Sequence, residues 1–201
     1  MALLTKIAWV CRRWMALHRR VAWLAGLASL LLGASAPAAT AQAAPSEEYQ
    51  LKAVFLFNFA QFVEWPARAF HEAEAPLVIG VLGEDPFGAY LDELVNGEKV
   101  GDRRLIVRRY QRPEDIAECH IIFISHSETG ALDKIISRLK GRSVLTVSDV
   151  DSFTRLGGMV RFVTEDGKIR LRINVEAAKE CGLTISSKII RPGTIVTPGK
   201  D

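Results

Sequence analysis

Leu77–Leu82 reads LVIGVL, six residues with neither a polar side chain nor any alternation. A strand with one face in water alternates apolar and polar positions, so this run is read as a strand covered on both faces. A parallel sheet between helices provides that environment, and the sequence downstream fits one. Asp85 and Pro86 suit the N-cap and N1 positions of a helix on which Phe87, Tyr90, Leu91 and Leu94 recur at helical spacing. Leu105–Val107 is a second strand, Arg112–Ala117 a short acidic turn or helix, and Cys119–Ile124 (CHIIFI) a third, buried strand. Thr129–Lys140 is amphipathic and ends at Gly141. Val144–Val147 is a fourth short strand, Ser148–Arg155 a loop or short helix, and Gly157 with Gly158 a flexible joint.

Beyond Met159 the pattern changes. Lys168–Ile173 alternates strictly, with Ile169, Leu171 and Ile173 on one face and Lys168, Arg170 and Arg172 on the other. Asp166 and Gly167 join it to Met159–Val163 as a hairpin. Asn174 caps a helix through Cys181 that Gly182 stops, and the tail from Ile185 is short and extended. The expected fold is α/β: a mixed, mainly parallel sheet flanked by helices, with a C-terminal antiparallel hairpin.

Upstream, Ser46 followed by Glu47 and Glu48 opens a helix running to about Val63, before Trp65 and Pro66 end it. Leu51, Val54, Phe55, Phe59 and Phe62 form one apolar stripe on it, with Asn58 inside the stripe; Ala53, Phe57 and Ala60 form a second. A helix apolar nearly all round is buried or covered by a partner. Before it, Lys6, Arg12, Arg13, Arg19 and Arg20 precede the uncharged Val21–Leu32, and Gly33–Ala44 is rich in small residues. This is the pattern of a cleavable secretory signal, with the cut placed after Ala43. A retained anchor would need about 20 apolar residues. The expected organisation is a signal peptide over residues 1–43 and a single α/β domain over 44–201, with no membrane insertion after cleavage.

Five of the 26 basic side chains and none of the 23 acidic ones lie before Ala44, leaving 21 against 23. The basic balance of the whole chain therefore belongs to the leader, and nucleic-acid binding is excluded as a class. Past the leader only Cys119 and Cys181 remain. They form a disulfide or both stay reduced; a bridge across that interval would contribute about 4 kcal/mol if its geometry allowed one. Two cysteines without clustered histidines do not make a zinc site, and neither a metal nor a nucleotide cofactor is expected.

Ser125, His126 and Ser127 follow a buried strand, where α/β folds bind ligands, but no Gly-x-Ser-x-Gly elbow surrounds the serine. Asp149 and Asp151 could share a cation, although turn and capping roles also account for both. No catalytic residue is assigned. Interaction features are stronger: the second helical strip and helix end contribute Phe57 and Trp65, and the basic strand contributes Arg170 and Arg172, with Arg161 beside them. Phe57, Trp65, Arg170 and Arg172 are the candidate partner-binding residues.

Several segments together resemble the YfiR family of small bacterial periplasmic proteins. They are KAVFLFNFAQFVEWP (Lys52–Pro66), IGVLGEDPFG (Ile79–Gly88), CHIIFIS (Cys119–Ser125), VLTVSDVDSFTRLGG (Val144–Gly158), MVRFV (Met159–Val163) and Arg170–Ser187 with Asn174 and Ser186–Ser187. The resemblance implies a non-enzymatic periplasmic inhibitor that acts on the periplasmic sensor domain of an inner-membrane diguanylate cyclase, lowers cyclic di-GMP and works as a homodimer. It also implies redox control through disulfides, from which this chain departs because Ile79 offers no cysteine to partner Cys119. The alternative function is small-molecule binding in the crevice beyond Leu82, Ser125 and Val147.

Overall fold

The computed structural model describes residues 44–72, 74–191 and 193–197, which belong to one compact unit. The expected leader, residues 1–43, lies outside the described residues. Helix α1 (Glu47–Phe62) starts where Ser46 Oγ accepts from Tyr49 N, and it runs into a two-residue strand, β1 (Val63–Glu64). Then follow β2 (Leu77–Leu82), α2 (Ala89–Val95), β3 (Lys99–Val100), β4 (Arg103–Tyr110), β5 (Ile121–Ile124), α3 (Leu132–Leu139), β6 (Leu145–Ser148), β7 (Val160–Glu165) and β8 (Lys168–Ile173). Helix α4 (Val175–Glu180), β9 (Thr184–Ile185), α5 (Ser187–Ile190) and β10 (Gly193–Ile195) complete the described chain.

Eight of these strands form the main sheet in the order β10-β8-β7-β6-β5-β2-β4-β3, while β1 and β9 pair separately. Strands β4, β2, β5, β6 and β7 run parallel, with Ile79 between Val107 and Ile121. Strand β8 turns back antiparallel to β7, and β10 lies parallel to β8 at the edge. The α/β reading therefore holds, including the hairpin and the covered first strand, whose six residues are all buried.

Successive side chains of a strand point to opposite faces, and this divides the interior in two. Leu77, Ile79 and Val81 of β2, with Ile121 and Phe123 of β5, pack beneath α1, α2, α4 and α5. Leu82, Ile122 and Ile124 face the other way, against Leu132, Ile135, Ile136 and Leu139 of α3. Burial of each such side chain contributes about 2 kcal/mol. Gly80 lies on this second face, where a Cβ would come within 2.7 Å of Ile122 Cδ1 and 2.8 Å of both Cys119 Sγ and Tyr110. The glycine inside LVIGVL is thus a close approach between neighbouring strands.

Three expectations are corrected. The second helix starts at Ala89, because Asp85 Oδ1 instead accepts from Phe87 N in a local turn and Gly88 takes φ +54° ahead of the helix. The tail is not simply extended: Ser186 Oγ accepts from Lys188 N, and a helical turn precedes β10. On α1, the buried set is Lys52, Ala53, Leu56, Phe59 and Ala60, which crosses both expected stripes. Leu51 is 46% exposed, and Asn58 is only half-buried, so it poses no buried-amide problem.

His120 anchors the segment after α1. Its Nδ1 accepts from Val78 N at 3.1 Å and its Nε2 donates to Ala69 O at 3.2 Å, so both nitrogens are used by the neutral ring. Phe70 stacks on it with 4.4 Å between centroids. Burial pushes the imidazole down to about 4. Between pH 6.5 and 4 the unfolded chain binds a proton that the folded chain refuses, so stability present above pH 6.5 drains away as pH falls toward 4. A loss of about 2 kcal/mol over that interval is expected from urea unfolding, and His120→Gln should flatten the profile. An unchanged profile in the variant would place the acid sensitivity elsewhere.

Candidate functional site

A buried polar cluster joins α1 to the segment after β6. Lys52 is 3% exposed, yet its Nζ lies 2.7 Å from Asp149 Oδ2 and 2.7 Å from Glu48 Oε1. Tyr49 Oη donates to the same Asp149 oxygen at 3.0 Å, and the ammonium sits 4.3 Å from the centre of the Tyr49 ring. Burial, reinforced by the Asp149 charge, pushes the Tyr49 phenol up, so it stays a hydrogen-bond donor. Asp149 Oδ1 is buried without a partner. Beside the cluster, a cleft of about 250 Å³ is lined by Tyr49, Lys52, His126, Asp149, Asp151 and Arg161 among others.

The two aspartates do not act as a pair. The Asp149 side chain is 10% exposed and turned toward Lys52, whereas that of Asp151 is 93% exposed and paired with Arg161. Among the described residues no group of three or more His, Cys, Asp or Glu is placed to hold a metal ion. Ser125 is buried and its Oγ accepts from Ser127 N, while His126 is exposed and opens the turn ahead of α3. Ser127 Oγ accepts from Glu84 N, and a Cβ on Gly83 would run into that hydroxyl. Ser127 thus ties the loop after β2 to the turn after β5, and the cleft lined by His126 and Asp149 lies beside them, next to α1.

The candidate contact residues fall in different settings. Phe57 is half-buried and packs against the core. Trp65 is also half-buried, and its Nε1 donates to His120 O at 3.1 Å, which ties the helix end to β5. Arg170 is exposed, whereas Arg172 lies 3.0 Å from Glu165; opposite them on β7 are Val163 and Arg161. Cys119 and Cys181 are both free and buried, and they lie in the two different apolar clusters. Cys119 Sγ donates to Ile121 O at 3.0 Å, and burial pushes its thiol up to about 12.

Tyr49 and Lys52 were not legible as site residues, because their partner Asp149 lies 97 residues from Lys52. The one local signal was Glu48 four positions before Lys52, a spacing that places the two side chains together on a helix.

Residues 49–193, which take in this helix from Tyr49 onward and the strands it covers, match the family model described as YfiR/HmsC-like. The chain belongs to the YfiR/HmsC-like family. The match takes in the Lys52–Asp149 cluster, both cysteines and the basic strand of this YfiR/HmsC-like chain. No curated protein matches it. Among solved structures it is similar to a conserved domain protein from Vibrio cholerae, with 16% identity over 59% of this chain and 54% of that one at a TM-score of 0.42. It is also similar to an ABC domain in complex with L-Trp from Streptococcus pneumonia, with 12% identity over 60% of this chain and 55% of that one at a TM-score of 0.44. The YfiR/HmsC-like chain thus spans about half the length of each of these structures. No helix among the described residues is long and apolar enough to cross a membrane.

Proposed function

We propose that this chain is exported to the periplasm with loss of residues 1–43, and that as a homodimer it restrains an inner-membrane diguanylate cyclase by docking on that enzyme's periplasmic sensor domain. It lowers cyclic di-GMP by binding and catalyses no reaction of its own. Family membership over residues 49–193 carries this reading, together with the periplasmic inhibitor that the sequence motifs resemble. The geometry supports it at β8, which turns Lys168 and Arg170 outward with Arg172 beside them, a cationic surface suited to an acidic face. Ser125 has a local capping role, which fits a binding protein better than a hydrolase.

Deleting the gene in its native host should raise intracellular cyclic di-GMP, and only a copy that retains residues 1–43 should restore it. No rise on deletion, or rescue by a copy starting at Ala44 and kept in the cytoplasm, would sink the proposal. Reversing Arg170 and Arg172 together to Glu should weaken binding to the sensor domain about tenfold at low salt, with a smaller effect at high salt. Unchanged affinity would remove β8 from the docking surface. A second reading, small-molecule binding at the carboxyl ends of the parallel strands, is favoured by the cleft beside Asp149 and the unpartnered Oδ1.

A further inference from the structure

At the opposite end of the sheet, a second cleft of about 330 Å³ opens between α3, the glycine pair before β7 and α4. Its apolar lining comes from both interior clusters: Ile136 and Leu139 from one, Met159 from the other, with Leu156 at 38% exposure beside them. Two fully or nearly fully buried polar side chains border it, Asn174 and Thr146. Each has its acceptor occupied by the backbone. Asn174 Oδ1 accepts from Ala177 N at 3.1 Å, which fixes the orientation of the amide, and Thr146 Oγ1 accepts from Met159 N at 3.0 Å.

Both side chains are thereby left with a donor to give. Asn174 Nδ2 is buried with no partner, and the Thr146 hydroxyl keeps its own hydrogen to donate. A buried donor without a partner is costly, and a site that offers donors selects a ligand that brings an acceptor. The rim carries Lys140 and Arg155 against Glu180, an excess of positive charge. Apolar walls, two donors buried in the wall and a cationic rim together define a ligand class.

We propose that this cleft binds a small monocarboxylate with an apolar body. The carboxylate accepts from Asn174 Nδ2 and the Thr146 hydroxyl, the chain or ring lies against Ile136, Leu139 and Met159, and Arg155 supplies the long-range attraction. This site is separate from the cationic face of β8 and from the cleft beside Asp149, and it does not depend on the cyclase reading.

The test is calorimetric titration of the purified chain with octanoate, octanol and octylamine, alongside the side-chain amide signals of a 15N-labelled sample. Octanoate should bind saturably and shift the Asn174 amide pair, with octanol at least about tenfold weaker and octylamine weaker still. Arg155→Glu changes an exposed position, and it should weaken octanoate about tenfold while leaving octanol unchanged. Asn174→Asp keeps the capping oxygen, replaces the donor by an anion and should abolish octanoate binding. The proposal is overturned by octanol binding as tightly as octanoate, by octanoate affinity indifferent to Arg155→Glu, or by no saturable binding up to about 10 mM.

Discussion

Asp149→Ala should destabilise the folded chain by about 3–5 kcal/mol, the range seen when one partner of a buried ion pair is removed. Lys52 is 3% exposed and its other partner, Glu48, has a side chain 43% exposed, so the ammonium would keep only a half-solvated counter-ion. Tyr49 Oη would lose its acceptor in the same change. For a domain of this size the loss corresponds to a fall in Tm of about 10 °C. The double replacement Lys52→Met with Asp149→Leu should recover most of it, since apolar groups of similar volume often substitute for a buried pair without penalty. A single-mutant loss below about 1 kcal/mol, the value for an exposed pair, would mean that Lys52 reaches water once Asp149 is gone.

Phe162→Ala is the second large effect, at about 3–5 kcal/mol. Phe162 on β7 is 2% exposed, and its ring centre lies 5.8 Å from that of Phe55, 6.1 Å from Phe59 and 6.5 Å from Phe123. It is therefore the side chain through which α1 seats on the middle of the sheet. Truncation should loosen α1 more than α3, which packs on the other face and touches none of these rings. Amide hydrogen exchange would read that contrast directly. Phe162→Leu should cost less than about 1.5 kcal/mol, because it preserves most of the volume. Equal acceleration of exchange in both helices would instead make the two faces a single cooperative unit.

How far these effects could be foreseen depends on the distance over which each signal acts. The alternation of Lys168–Ile173, the Asp166–Gly167 turn, the Asn174 cap and the apolar run of β2 are carried by neighbouring residues, and all appear in the structure as read. The buried face of α1 was misread because apolar residues surround the helix, so periodicity alone could not choose a face. The choice is made by Asp149, which draws Lys52 inward and leaves Leu51 in water. The Asn174–Thr146 cleft was illegible for a related reason. Asn174 read correctly as a cap, but its second function follows from the amide nitrogen that capping leaves over, and that is visible only once Thr146 stands near the same space. Strands β1, β3 and β9 have two residues each and carry no periodic signal to read.

The placement of α1 also bears on the order in which the chain can assemble. The first described helix is fastened by Asp149, 97 positions after Lys52, and the strand at its end pairs Val63 with Ile185 near the other terminus. Contacts so remote in sequence require closure of long loops before they return any stabilisation, and they slow folding. The amino-terminal helix therefore meets part of its native surface in α2, β2 and β5, but it is not fastened until Asp149 and β9 have emerged. The ties that lock the first helix in place are thus the last the chain can make, and its two ends are fixed to the fold together.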